Sequence, residues 1–238
     1  MAGRIEVADD VHALSRRVAE WLVDTVAAAS GIVRISLSGG STPKELYTLL
    51  ASDEFRSRMA WGRIELFWGD ERFVSYDDAA SNYRMTKEAM LSRVPVPPEH
   101  IHPMPVDGTP EDAAIRYETL LKRIYGADEF DPARPLFHIM LLGLGGDGHT
   151  ASLIPGQPVL EERRRWVAAV TGGRAETRIT LTYPAIESSR TIAFLAAGAE
   201  KTSAVHAVRA GDEKLPAARI RPHGEVIWFL DRAAAGQA

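Results

Sequence analysis

The chain has 238 residues, with 28 Lys and Arg against 32 Asp and Glu, a formal net charge of -4, 45% hydrophobic residues and no cysteine. A slightly acidic balance supplies no general attraction to nucleic acid or to an anionic membrane, and the missing thiols exclude disulfides, thiolate nucleophiles and thiolate metal centres. A chain of this length buries about 70–75% of the surface its unfolded form exposes, so one domain over residues 1–238 is expected. The N-terminus lacks a charged head followed by an apolar core, and no apolar run approaches the roughly 18 residues of a spanning helix. With no disulfides to protect, the expected location is the cytoplasm; a monomer is expected, although no feature of the sequence fixes the oligomeric state.

In residues 9–29, Val11, Leu14, Val18, Trp21, Leu22 and Val26 recur at intervals of three and four, which predicts a helix ended by Gly31. Residues 32–37 form a β-branched strand, followed by Ser38-Gly39-Gly40-Ser41-Thr42-Pro43 and a helix that begins at Lys44. A second strand at 64–68 leads into the polar turn Gly69-Asp70-Glu71-Arg72, and residues 82–93 carry Tyr83, Met85, Met90 and Leu91 at helical spacing. Residues 94–110 hold six prolines and form a connecting loop; Thr109 and Pro110 then cap and open a helix that ends at Gly126. The most apolar strand, 137–142, runs into Gly143-Leu144-Gly145-Gly146-Asp147-Gly148-His149-Thr150. Further strands are predicted at 166–170, 178–182, 191–195 and 226–229 and helices at 184–189 and 201–209, with room for a mixed sheet in this half. The Ala-rich end after Arg232 is expected to fray. This alternation of strands and crossover helices is that of an α/β fold with a largely parallel sheet.

Ligands of open parallel sheets bind beyond the carboxyl ends of the strands, so the loops there are the first candidates for chemistry. The loop at 38–42 combines two glycines and three hydroxyls before a helix N-terminus, the makings of a phosphate cradle. Thr42 with Glu45 could equally form a capping box, leaving the glycines only to turn the chain. In Gly69-Asp70-Glu71-Arg72, either Arg72 holds an oxyanion or the charges form a solvated turn with an internal ion pair. The stretch from Gly143 to Gly148 matches G-x-G-x-x-G, yet Pro155, Gly156 and Pro158 interrupt the long helix that a dinucleotide site needs, and His149 stands where a P-loop needs Lys. What remains is a turn presenting Asp147 and His149, in which a carboxylate orients an imidazole that serves as a general base.

His12, His138, His206 and His223 fall in helix, strand or tail patterns and are read as structural. His100 and His102 lack a carboxylate to complete a metal set, and no H-E-x-x-H occurs, so no metal is expected. Arg174 and Arg178 lie around one later strand, and Lys201 opens a helix, where a cation is out of place unless an anion neutralises it.

Four motifs, Ser-Leu-Ser-Gly-Gly-Ser-Thr-Pro at 36–43, Phe-Trp-Gly-Asp-Glu-Arg at 67–72, Ala-Ser-Asn-Tyr-Arg-Met at 80–85 and Gly-Leu-Gly-Gly-Asp-Gly-His-Thr-Ala-Ser-Leu at 143–153, resemble the 6-phosphogluconolactonases. These belong to a superfamily shared with glucosamine-6-phosphate isomerase/deaminase, and Arg-Ile-Thr-Leu-Thr at 178–182 and Gly-Ala-Glu-Lys at 198–201 extend the likeness over nearly the whole chain. The resemblance implies a Rossmann-like three-layer α/β sandwich and hydrolysis of a sugar-phosphate lactone in the pentose phosphate pathway without a cofactor. It further implies His149 as base, Asp147 as its orienting partner and Arg72 at the oxyanion. Ser38, Gly39, Gly40 and Thr42 would hold the phosphate, countered by Arg178 and Lys201, with Arg174 as an additional or alternative contact. Asp70 and Asn82 would line the sugar pocket. The deaminases carry a further carboxylate soon after the His, whereas residues 150–160 here contain no Asp or Glu. A non-catalytic sugar-phosphate sensor would need an attached domain for which the chain has no room. Gly172-Gly173-Arg174-Ala175-Glu176 stands where the lactonases have a Lys-Pro-rich segment, which leaves the role of Arg174 open.

Overall fold

The computed structural model describes residues 2–237. In chain order its main elements are β1 (Arg4–Ala8), α1 (Val11–Ala28), β2 (Val33–Leu37), α2 (Ser41–Leu50), β3 (Ile64–Trp68), β4 (Asp70–Arg72), α3 (Asn82–Thr86), β5 (Ile101–His102) and α4 (Pro110–Tyr125). They continue with β6 (Phe137–Gly143), β7 (Val167–Val170), β8 (Arg178–Leu181), α5 (Tyr183–Glu187), β9 (Ser189–Ala196), α6 (Thr202–Ala210) and β10 (Glu225–Asp231).

Seven strands form one sheet in the order β1-β10-β9-β6-β2-β3-β5, and every pairing in it is parallel. A parallel sheet is covered on both faces, so its middle strands are apolar throughout rather than alternating, as Ile139, Met140, Leu141 and Leu142 of β6 illustrate. α1, α2 and the turn after α3 cover Ile35, Leu37, Ile64 and Leu66 through Leu22, Tyr47, Leu50 and Met90. This is the expected α/β sandwich with its parallel central sheet. No described helix is long and apolar enough to cross a membrane.

The second half departs from a single mixed sheet. β7 and β8 pair antiparallel with each other and β8 pairs antiparallel with β4, making a separate three-stranded sheet. Residues 70–72, expected as a polar turn, are therefore a strand. The chain changes sheets at Gly69, whose N–H donates to Leu37 O of the large sheet at 2.9 Å while its carbonyl accepts from Leu181 N of the small one at 2.8 Å. β1 was not expected either: Arg4, Ile5 and Glu6 alternate charge with one aliphatic, a pattern suited to an edge strand and too polar to stand out.

Local signals account for most boundaries. Asp10 caps α1, accepting from Ala13 N at 2.8 Å, and Thr109 caps α4 while Gly126 ends it at φ 80°. The helix expected over 82–93 begins as α3 and continues as a π-helical turn, Lys87–Leu91. The capping box of Thr42 and Glu45 does not form: α2 begins at Ser41 after Gly40, no side chain caps it, and Glu45 pairs instead with His12 at 3.3 Å. The Ala-rich end is not frayed, because Asp231 accepts from Ala234 N at 2.7 Å and Ala234 is buried.

Two buried tyrosines fasten strand ends to the helices. Tyr47 of α2 donates its hydroxyl to Ser38 O at 2.8 Å and accepts from Ser38 N at 3.0 Å. Tyr117 of α4 accepts from Trp68 N at 3.1 Å and donates to His102 O at 3.2 Å. Removing the Tyr47 hydroxyl leaves two backbone groups unpaired in a dry site, so Tyr47→Phe is expected to cost about 2 kcal/mol in denaturant unfolding. An unchanged midpoint would show that this tie does not hold the loop.

Candidate active site

A cleft of about 200 Å³ opens where β2, β6 and β9 of the large sheet end and β4 and β8 of the small sheet begin to cover them. Its walls include Ser38, Gly39, Gly40, Thr42, Asp70, Arg72, Asn82, His149, Arg178 and Lys201. Of the residues singled out in the sequence, only Asp147 and Arg174 lie outside that lining.

The loop after β2 forms one wall. A Cβ at Gly39 would sit 2.0 Å from Asn82 Oδ1, so the absent side chain lets Asn82 close over the loop. Gly40 has φ 110° and turns the chain into α2, whose first turn is left without a side-chain cap beside Ser41 and Thr42. Ser38 Oγ accepts from Gly143 N at 3.2 Å and donates to Gly39 O at 3.3 Å, tying the ends of β2 and β6 together.

The small sheet supplies the opposite wall. Arg72 and Arg178 stand directly opposite each other across β4 and β8, on one face, where like charges repel. Both line the cleft, and the Nε of each is buried without a partner. The internal ion pair that the alternative reading of residues 69–72 invokes is not made by Arg72, whose Nη1 donates to Ala80 O at 2.5 Å. Arg178 is 3.9 Å from Asp70 Oδ2 and 3.6 Å from Glu176. Burial pushes its pKa down; Asp70 and Glu176 oppose this, while Arg72 and Arg174 add to it.

Glu71, passed over in the sequence, organises this wall. Its buried carboxylate accepts from Arg72 N, Asn82 N and Tyr83 N, each at 2.7 Å, and from Ser81 Oγ at 3.2 Å. Burial pushes the Glu71 carboxyl up in pKa, against the pull of those N–H groups. Asp70 is fixed in turn by Ser152 Oγ at 2.7 Å, and its carbonyl accepts from Asn82 Nδ2 at 3.0 Å. Ser152 lies within the motif at 143–153, where the sequence reading gives it no role of its own. Ala151 before it takes the left-handed conformation, φ 47°, a strained geometry for a residue with a Cβ.

The turn after β6 carries the imidazole. Gly145 N donates to His149 O at 2.8 Å and Gly148 N to Gly145 O at 2.9 Å, closing a tight loop. Asp147 Oδ1 lies 2.5 Å from His149 Nδ1 and accepts from His149 N at 3.2 Å. A Cβ at Gly145 would fall 2.0 Å from that Nδ1 and 2.6 Å from Asp147 Oδ1, so the pair rests on a bare backbone. Burial opposes ionisation of Asp147, but the bonds from His149 and Arg174 outweigh it and hold the carboxyl well below the usual carboxylate range. With Nδ1 engaged, Nε2 is the nitrogen left for the cleft.

Lys201 lies just before α6, and its ammonium has no bonded partner among the described residues although it lines the cleft. Arg174, expected near a phosphate, bonds Asp147 Oδ2 at 2.7 Å. No group of three or more His, Asp or Glu side chains is gathered for a metal among the described residues. Glu71→Ala leaves three buried N–H groups without an acceptor and is expected to cost about 3 kcal/mol or more in urea unfolding, with Glu71→Gln losing less because one oxygen can still accept. Equal stability of all three proteins would contradict this role.

Residues 9–228 match the family model described as glucosamine-6-phosphate isomerases/6-phosphogluconolactonase. The chain is 39% identical to the 6-phosphogluconolactonase of Nostoc sp., covering 100% of this chain and 99% of that protein. It is 40% identical to the one from Synechocystis sp., with 98% of each covered. The solved 6-phosphogluconolactonase from Trypanosoma cruzi superposes with a TM-score of 0.84 at 28% identity, covering 99% of this chain and 96% of that one. Fold, cleft and likeness agree, and the chain belongs to the glucosamine-6-phosphate isomerase/6-phosphogluconolactonase family.

Proposed function

We propose that this chain is a 6-phosphogluconolactonase that hydrolyses 6-phospho-D-glucono-1,5-lactone to 6-phospho-D-gluconate, with His149 activating water directly and no metal ion taking part. The charge of the cleft is the observation that carries the reading. Its lining holds three cations, Arg72, Arg178 and Lys201, against one carboxylate, Asp70, an excess of two positive charges with the repelling arginines held side by side. A phosphate monoester carries about -1.5 to -2 charges at neutral pH and relieves that repulsion. The names of the relatives at 39% and 40% identity support the same substrate.

The phosphate sits against Gly39, Gly40 and the uncapped start of α2, where N–H groups and the helix dipole favour an anion, with Thr42, Arg178 and Lys201 closing round it. Asp70 and Asn82 face the sugar hydroxyls. As a water oxygen bonds to the lactone carbonyl carbon, His149 Nε2 takes its proton and the imidazolium is balanced by Asp147. The carbonyl oxygen becomes an oxyanion, and Arg72, already fixed in a shielded wall, stabilises it. Collapse breaks the bond to the ring oxygen, the imidazolium returns the proton to that oxygen, and the new carboxylic acid ionises in solution.

Disappearance of freshly generated lactone, followed by rapid NMR, tests this. Wild type is expected to be insensitive to chelator, and His149→Ala to lose at least about 100-fold in kcat while still binding 6-phosphogluconate. Undiminished turnover by that variant, or ammonia release from glucosamine 6-phosphate, would overturn the reading.

The pH profile supplies a second check. Because the folded-state pKa of Asp147 is depressed, its contribution to stability is present above its unfolded value of about 4 and is lost only as pH falls below that. From pH 5 to 8 Asp147 therefore stays ionised, and the acid limb of kcat/KM, corrected for spontaneous hydrolysis, is expected to follow one ionisation. A limb with twice that slope would mean that Asp147 titrates with the base.

A further inference from the structure

We propose that Arg174 is a positioning residue for this reaction: from outside the cleft it holds Asp147 in the orientation that presents the Nε2 edge of His149 to the substrate. The inference rests on His149 being the base.

Asp147 does not hold itself. It lies between Gly146 and Gly148, and its side chain is 42% exposed, so neither its neighbours nor its surroundings confine the carboxylate. One oxygen, Oδ1, is taken by His149. The other, Oδ2, accepts from Arg174 Nη2 at 2.7 Å, and no other cation bonds Asp147 among the described residues. The same Nη2 lies 3.0 Å from His149 Nδ1, but a guanidinium only donates, so with the Nδ1 proton given to Asp147 this is a contact and the hydrogen bond of Nη2 is the one to Oδ2.

Arg174 is itself held. Its Nη1 donates to Gly173 O at 2.7 Å, leaving Nη2 to reach across, a division of labour that a planar fork permits and a single ammonium does not. The loop that carries it, between β7 and β8, presses on the segment after the His149 turn. A Cβ at Gly172 would lie 2.7 Å from Gln157 Oε1, and one at Gly173, φ 78°, would lie 2.7 Å from Ile154 Cγ2. Two adjacent glycines thus let this loop sit close enough for Arg174 to meet Asp147. Since Arg174 is not part of the cleft lining, its effect passes through Asp147 and His149 rather than through substrate affinity.

The test is steady-state lactonase kinetics on Arg174→Ala and Arg174→Lys, together with ¹⁵N NMR of the His149 ring. Arg174→Ala is expected to lower kcat about tenfold or more with KM within about twofold, and Arg174→Lys to recover part of kcat. The ring signals are expected to report Nδ1 protonated in wild type and a mixture of tautomers in Arg174→Ala. A raised KM at unchanged kcat would overturn the proposal in favour of a direct phosphate contact, and an unchanged kcat with an unchanged tautomer would overturn it outright. Should Arg174→Ala fold poorly, Arg174→Lys keeps the charge and stem, and it must still show reduced kcat at intact KM. If wild type hydrolyses no lactone, the functional reading fails, while the ring signals still decide whether Arg174 sets the tautomer.

Discussion

Two arginines set opposite each other on neighbouring strands repel, and a fold keeps such a pair only where something nearby makes the position tolerable. Arg72 and Arg178 form that pair, and much of the surrounding structure answers to it. Asp70 lies two residues before Arg72 in the same strand and 3.9 Å from Arg178, so some of the charge is offset before any ligand arrives. Glu71 points the other way, into the backbone of 81–83, which anchors β4 without neutralising the arginines. The remaining positive charge is left facing the cleft.

That wall exists because β4 leaves the parallel sheet. Had residues 70–72 remained a turn at the end of β3, Arg72 would have had no partner strand and no fixed direction. Pairing with β8 orients it, and β7 ties β8 back to α4, since Glu118 accepts from Trp166 N at 2.8 Å and from Val167 N at 3.2 Å. The imidazole has a different support. Gly148 O accepts from Ala217 N at 3.0 Å, and Leu215 lies where a Gly148 side chain would be, so the His149 turn is braced from the segment after α6. The arginine pair and the imidazole are thus carried by different elements and meet only at the cleft.

Much of this was legible in the sequence because the polar, glycine-bearing loops follow apolar strands directly, and a parallel sheet places all such loops at one end. That reasoning points to the loops of Gly39, Gly40, Arg72 and His149, and the family resemblance adds Asp70, Arg178 and Lys201, all of which line one cleft. It could not reach Glu71 or Ser152, whose partners are backbone N–H groups and a carboxylate far along the chain. It took Asp70 to Arg72 for a turn because a three-residue strand of charged side chains carries no periodicity to detect. The sequence leaves the role of Arg174 open, because its direction depends on the close approach of Gly172 and Gly173 to Gln157 and Ile154, which no local pattern reveals.

Gly69 is bonded to both sheets at their junction, with N–H to one and carbonyl to the other. Its N–H and its carbonyl belong to successive peptide planes that meet at one Cα, so the two sheets are joined there across a single residue. Arg72 and Arg178 ride on the small sheet, and the glycine loop after β2 and the His149 turn follow strands of the large one. The separation between the paired arginines and the imidazole is therefore set at a backbone junction and not by the reach of any side chain.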